Sequence, residues 1–453
     1  MRITAPLERF FRISERGSTI RRECLAGLTT FMTMSYIVFA NTAIMSSTGM
    51  PAPAIMSATI YAAALGSLLM GVLVNVPVAM APGMGINAYF SFFLCAEIGL
   101  SWQDALGLTF VSGLLFFLLM ISGFGQRLVQ GMPTFLRHAV AVGVGFFIAT
   151  VGMKSAGLVV AHPTTFVAPG NVSEPGTVLC LLGLILVSVL LVLRVHGAML
   201  YGMALITLLA MSLGITPLPH AWTDVICIHP PGLGETFGQM RFDRIWKLSI
   251  IPPLVSFSLT CFFNNVGTLI GLSGCYGRPW NAAEDRLLAR QLTLSAAGIP
   301  IAAVMGTAGV TPYIENAAGI SEGGRTGFAA VVTACLFLLT LFFHPLLSLV
   351  PSLATAPGVI LVGIFMMQEA KHINFSEFSE ALPACVTITF MAISFSIFTG
   401  LSLGYLTYIT VKIVTGKLEE ITLPHLFLAV LILMGMGSGP EPAQPRMRKA
   451  GAI

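Results

Sequence analysis

Glu315 stands in Gly306-Thr-Ala-Gly-Val-Thr-Pro-Tyr-Ile-Glu-Asn-Ala-Ala-Gly319 with apolar sequence on both sides. An ionised carboxylate in a low-dielectric interior is costly, so such an acid is held protonated, is paired, or works by moving a proton. A neutral acid hydrogen-bonded inside a bundle is the plain alternative. Amides are the other polar resource: Asn87 in Ala81-Pro-Gly-Met-Gly-Ile-Asn-Ala88, and Asn264 and Asn265 in Phe262-Phe-Asn-Asn-Val-Gly-Thr-Leu-Ile-Gly271. Each carboxamide offers two donors and an acceptor, which suits a neutral heterocycle bearing N–H and C=O edges. Hydrogen bonding between helices is the competing use of any one of them. Tyr313, Phe262 and Phe263 can stack on a planar ligand, or simply pack. No P-loop, HExxH or GxSxG pattern occurs, the eight His are dispersed, and the eight Cys form no CxxC pair. No metal, cofactor or enzymatic chemistry is expected, and an ATP-driven pump is disfavoured. An ion gradient is left as the energy source.

The elements that must hold these residues follow from composition. Hydrophobic residues make up 56% of the 453 and charged residues 9%, against about 25% charged in soluble domains. No Asp, Glu, Lys or Arg occurs from Cys24 to Ala96 or from Thr326 to Gln368, where one membrane helix needs about 20 residues. The chain is therefore an all-α polytopic membrane protein, and its formal net charge of +4 is too small and too dispersed for nucleic-acid binding. Apolar runs and breakers place fourteen spans near 24–45, 53–75, 78–98, 104–126, 136–153, 176–194, 197–215, 249–272, 287–305, 308–320, 326–344, 350–368, 382–398 and 400–415. With the amino terminus inside, only Lys154, Arg241, Arg244 and Lys247 of the 23 Lys and Arg fall outside the cell, as the positive-inside rule requires. The leader 1–23 reads as cytoplasmic, with Pro6–Arg16 as a short amphipathic helix on the inner leaflet. Ile421–Gly437 is read as an in-plane or re-entrant segment before a basic cytoplasmic tail, with a fifteenth span as the alternative.

Seven spans (24–215) precede the extracytoplasmic loop 216–248, and seven (249–416) follow it, before the carboxyl-terminal part 417–453. An odd number per half turns the second half upside down relative to the first, the inverted-repeat plan of many secondary transporters. Pro77, Pro82, Gly83 and Gly85 break the third span, and Pro300, Gly306, Gly309 and Pro312 crowd the tenth, at corresponding places. Unwound backbone is tolerated in a bilayer only where protein or a wet cavity satisfies it. The paired breaks therefore point at a central binding site, the alternative being that they are packing kinks.

At this point the residues resemble a known family. The chain is similar to the azaguanine-resistance branch of the nucleobase–cation symporters, permeases for adenine, hypoxanthine and guanine. The similarity rests on six motifs in order: Ala26-Gly-Leu-Thr-Thr-Phe-Met-Thr-Met-Ser-Tyr-Ile37, Ala81 to Ala88 above, Gly152-Met-Lys-Ser-Ala-Gly157, Phe263 to Gly271, Val310-Thr-Pro-Tyr-Ile-Glu-Asn316 and Gly323-Gly-Arg-Thr-Gly327. It implies a core domain of spans 1–4 and 8–11, a gate domain of spans 5–7 and 12–14, short strands opening spans 3 and 10, and purine bound between them. It also implies Glu315 as the site acid, Asn87 as the third-span amide and Tyr313 as the aromatic two residues before the acid. Two positions depart from the family pattern: the usual eighth-span acid is Asn264, and a second acid usual in the ninth span is Ser295.

The expected function is import of a purine nucleobase with a proton, through a multi-pass protein of the cell membrane with both termini cytoplasmic. Substrate-binding candidates are Glu315, Asn87, Asn264, Tyr313 and Phe263, with Glu315 also carrying the proton. A homodimer is a candidate assembly. The alternatives are a transporter of another small planar or anionic substrate, using the amino-terminal dipoles of the broken helices, and an uncoupled facilitator in which Asn264 has removed a titratable ligand.

Overall fold

The computed structural model describes residues 4–123, 133–162, 166–193, 195, 198–218, 232–245, 247, 250–275, 282–343, 345, 349–394, 397–416, 426, 429, 430, 432 and 433. Most of Ile421–Gly437 and the basic tail lie outside the described residues. Helices cover the apolar runs: α1 (Thr4–Phe11), α2 (Ile20–Met34), α3 (Ile37–Ser46) and α4 (Ala52–Leu69), then strand β1 (Met80–Pro82), α5 (Met84–Ala88) and α6 (Trp102–Ile121). There follow α7 (Thr134–Ser155), the hairpin β2 (Val159–His162) and β3 (Phe166–Pro169), α8 (Pro175–Val192), α9 (Ala198–Ser212), α10 (Ile251–Cys275) and α11 (Ala282–Met305). Strand β4 (Val310–Pro312), α12 (Asn316–Ser321), α13 (Gly327–Thr340), α14 (Ser352–Met367), α15 (Phe378–Ser394) and α16 (Ile397–Val414) complete the order. A helix lies over every span read from the sequence. Among the described residues, seven helices are long and apolar enough to cross a membrane, and three further apolar helices are shorter.

The third and tenth spans meet through their broken ends. β1 pairs antiparallel with β4, Met80 opposite Pro312, Ala81 opposite Thr311 and Pro82 opposite Val310. Pro lacks an N–H, so Pro82 and Pro312 cap the ladder at three residues. Gly83 N–H extends it by donating to Gly309 O at 3.0 Å. Gly309 has φ +145°, a conformation that a Cβ would oppose.

Deep in an apolar protein the remaining strand groups need partners, and side chains supply them. Ser67 Oγ accepts from Met80 N–H at 2.9 Å and donates to Met80 O at 3.0 Å. Asn316 acts as a surrogate strand residue: its Oδ1 accepts from Ala79 N–H at 2.7 Å, and its Nδ2 donates to Ala79 O at 2.9 Å and to Tyr313 O at 2.6 Å.

The helices sort by their main contacts. α2 packs on α12 and α13, α4 on α13, and α6 on α10 and α11. Separately, α7 packs on α14 and α15, α15 on α16, α8 on α14, and α9 on α8. Between α7 and α14 the backbones touch: a Cβ built on Gly145 would lie 2.5 Å from Gly363 O, so the close approach needs Gly at this crossing.

The leader makes protein contacts. Phe10 is exposed, but Phe11 and Ile13 are buried, and the Phe11 ring lies 5.5 Å from that of Phe328. Asn75 Nδ2 donates to Phe11 O at 3.0 Å and Arg16 donates to Asn75 O at 2.5 Å. The end of the leader is thus docked on the turns at Asn75 and Gly323–Gly327, where Ser18 Oγ also donates to Gly323 O at 3.0 Å. Just beyond it the fully buried Glu23 accepts from the backbone N–H groups of Arg325 at 2.8 Å and of Thr326 and Ala329 at 3.3 Å. This places a carboxylate on the amino-terminal end of α13, where it is stabilised.

Candidate functional site

A cavity lies where the two broken spans face the second group of helices. Gly83, Met84 and Gly85 line it from the first break, and Thr311 to Glu315 from the second. Phe263, Asn264, Gly267 and Thr268 of α10 close one side. The opposite wall is apolar, with Val140, Ala141, Val144 and Ile148 of α7 and Phe365 and Met366 of α14, and it ends at Glu369. Polar edges on one side and an apolar wall on the other suit a flat ligand with a hydrogen-bonding perimeter.

Glu315 is 8% exposed and sits at the start of α12 without capping it. Its Oε1 accepts a 2.7 Å hydrogen bond from the Tyr36 hydroxyl. Tyr36 lies at the break between α2 and α3, is itself buried, and approaches Glu315 from behind the cavity. The acid is thereby aimed at the cavity that it lines. The Tyr313 hydroxyl donates to Pro82 O, which ties the ring across the two broken spans. Phe263 has its ring 5.1 Å from that of Phe262, and Phe262 packs back on Phe116 of α6. Of that aromatic pair, Phe263 is the one at the cavity.

Of the residues expected at the site, Glu315, Asn264, Tyr313 and Phe263 come together with Gly83, Gly85 and Pro312, while Gly309 and Pro82 hold the ladder behind them. Asn87 does not line the cavity. Its backbone N–H donates to Gly83 O at 2.8 Å, which turns the side chain into protein, where it is fully buried. Neither amide atom of Asn87 has a hydrogen-bond partner among the described residues. A buried polar group left unsatisfied costs roughly 1–3 kcal/mol, so its retention needs a reason other than stability. Asn87→Ala is expected to leave thermal stability in detergent nearly unchanged while uptake falls about tenfold or more; a large loss of melting temperature with transport rate per folded molecule intact would contradict this.

The ninth-span departure has a partner. Ser295 donates to Asn265 Oδ1, and Asn265 Nδ2 donates to Cys261 O at 2.7 Å. All this lies buried between α10 and α11. Ser295 is thus engaged with Asn265, while Asn264, one residue before it, faces the cavity. Sequence reasoning missed Tyr36, although it lies in the first of the six motifs, and Glu369, which closes a charge-free run and reads as a loop acid beside Lys371.

Comparison with known proteins adds three findings. A sequence profile of the Permease family matches residues 21–403. The chain is 36% identical to the adenine permease AdeP of Escherichia coli over 428 residues, covering 94% of this chain and 95% of that one. It is 37% identical to the guanine/hypoxanthine permease PbuG of Bacillus subtilis over 428 residues, covering 92% and 96%. Among solved structures, the transmembrane domain of the cyanobacterial bicarbonate transporter BicA superposes with a TM-score of 0.59 over 87% of this chain and 96% of that one, at 14% identity, so the two share a fold.

Proposed function

The chain belongs to the permease family, and from that premise we propose that it imports purine nucleobases across the cell membrane by proton symport. It is a multi-pass membrane transporter and not an enzyme. The observation that carries the reading is the Tyr36-held Glu315 beside Asn264, Phe263 and Tyr313 in one cavity. Purine lies in the slot against Phe263, with its ring N–H and C=O edges toward Asn264 and Glu315. Asn87 joins when the broken spans move relative to α7 and α14. Fourteen spans in two inverted halves, a core of α2–α6 and α10–α13, and a gate of α7–α9 and α14–α16 fit the pairing of β1 with β4 and the two sets of helix contacts.

A neutral base gains nothing from the membrane potential by itself. One co-transported charge across 100 mV supplies about 2.3 kcal/mol, or roughly 50-fold accumulation. Protonated Glu315 donates to a ring nitrogen, the loaded site passes inward without net charge on the acid, and the proton leaves there. Glu315 and Glu369, with no Lys or Arg among the described lining residues, weigh against an anionic substrate. Uptake of radiolabelled adenine, guanine and hypoxanthine into cells lacking nucleobase permeases, with metabolic trapping blocked and with or without a protonophore, tests the reading. Symport requires accumulation above the external level that the protonophore abolishes; equilibration alone identifies a facilitator.

A further inference from the structure

A second cavity adjoins the first, and the described residues common to both are Ile314, Glu315, Phe365 and Glu369. Two apolar side chains and two carboxylates thus form the boundary. A proton leaving Glu315 across it meets Glu369, whose Oε2 lies 2.8 Å from Nδ1 of His138 on α7. The His138 ring in turn lies 4.9 Å from that of His372, at an interplanar angle of 33°. Glu315 at one end of this line is buried, at 8% exposure, Glu369 and His138 are half-buried, with side-chain values of 30% and 25%, and His372 at the other end is exposed. Two histidines and an acid graded from a buried carboxylate to solvent form a path for protons, since imidazole gains and loses a proton near neutral pH.

We propose that Glu369 and His138, with His372 at its outer end, form the proton exit that empties Glu315 into the cytoplasm. The proposal rests on the symport reading and on its topology, in which the start of α7 and the end of α14 face inward. On release the O–H bond of Glu315 breaks, and the proton crosses the shared cavity to the Glu369–His138 pair. The pair goes from a net charge of −1 to neutral, and His138 then yields the proton to cytoplasmic water directly or by way of His372. The purine departs first, from the still-protonated site, and the proton follows by this route. The groups facing the pair are Glu315 across the cavity and Lys371 and His372 on its own turn. Lys412 of α16 lies 5.7 Å over the ring of Tyr408, which packs on Phe135 one turn before His138. α14 carries no charged residue. The hydrogen bond with His138 first, and after it the charge of Lys371, favour the ionised form of Glu369 and so keep the exit ready to accept. An acid standing outside the broken spans thereby supplies the titratable group that Asn264 lacks.

The test uses the full-length protein in proteoliposomes with set internal pH, measuring net proton-driven uptake and, separately, exchange of labelled for unlabelled adenine. Exchange never empties Glu315, so His138→Gln, which lies outside the lining of the substrate cavity, is expected to keep it within about twofold, while net uptake falls on the order of a hundredfold in both His138→Gln and Glu369→Gln, the scale of a positioned proton-transfer group. Glu369→Asp is expected to restore part of the rate. Imidazole trapped inside is expected to rescue net uptake by Glu369→Gln, and raising internal pH to do the same, with Glu315→Gln unrescued by either. Loss of exchange in His138→Gln would overturn the proposal by giving the residue a role in binding or folding and not in proton exit, and unchanged net uptake in either variant would overturn it directly. A wild type that exchanges but never concentrates refutes symport itself, and the wild-type arm alone reveals that failure.

Discussion

Glu315→Gln is expected to reduce the accumulation ratio to the external level, a loss of roughly 50-fold at 100 mV for one proton per base. The substitution keeps shape and keeps an acceptor for the Tyr36 hydroxyl, whose bond to Glu315 Oε1 is 2.7 Å long. What it removes is titration. The amide resembles the protonated acid, so the site remains loadable and membrane abundance is expected to match wild type. Exchange is expected to survive for the same reason, which separates loss of coupling from loss of binding. Concentrative uptake by Glu315→Gln, measured with metabolic trapping blocked, would remove the acid from the mechanism.

The largest expected effect on stability comes from a residue that touches no ligand. Asn316→Ala strips the partners from Ala79 N–H and Ala79 O at once and leaves Tyr313 O with the Asn316 backbone N–H at 3.2 Å. Ala79 is fully buried, and each of its two buried orphans costs about 1–3 kcal/mol. A combined loss of several kcal/mol is a large share of the roughly 5–15 kcal/mol that holds a folded protein together. Asn316→Ala is therefore expected to give little or no folded protein by fluorescence-detected size exclusion. Asn316→Asp, which keeps the acceptor but loses both donors, is expected to be nearly as damaging. Wild-type yield and melting temperature for Asn316→Ala would mean that the strand ladder stands without its side-chain extension.

What could be read from the chain follows from which interactions are local. Apolar runs, the breaks around Pro82 and Gly309, and the isolation of Glu315 are properties of neighbouring residues, and each is where the sequence implied. Glu315, Asn264, Tyr313 and Phe263 were brought together by motif resemblance and by the pairing of two breaks. Tyr36 was not legible as a partner of Glu315, because an aromatic in an apolar run looks the same whether its hydroxyl is used or not. Glu369 was hidden by its place beside Lys371, where an acid normally marks the end of a span. Glu23 looked like a leader charge, and only the fold shows that it caps a helix some three hundred residues away. Asn87 shows the converse: its position was inferred from the break, but the turn that follows Gly83 points its amide into protein.

The surrogate strand at Asn316 also bears on the order of events during synthesis. Ala79 and Asn316 are 237 residues apart, and at about 5–20 residues per second the first is made roughly ten to fifty seconds before the second. Through that interval the amino-terminal half has the 80–82 stretch in the bilayer with its eventual partner unmade, and its N–H and C=O groups must meanwhile be satisfied by water, by lipid headgroups or by an insertion chaperone. The nascent half is accordingly a target for membrane quality control until translation reaches α12. Cutting the gene within the 216–248 loop and supplying the halves separately turns that delay into a variable: residues 1–230 expressed alone should be degraded quickly, and co-expression of the remainder should protect them.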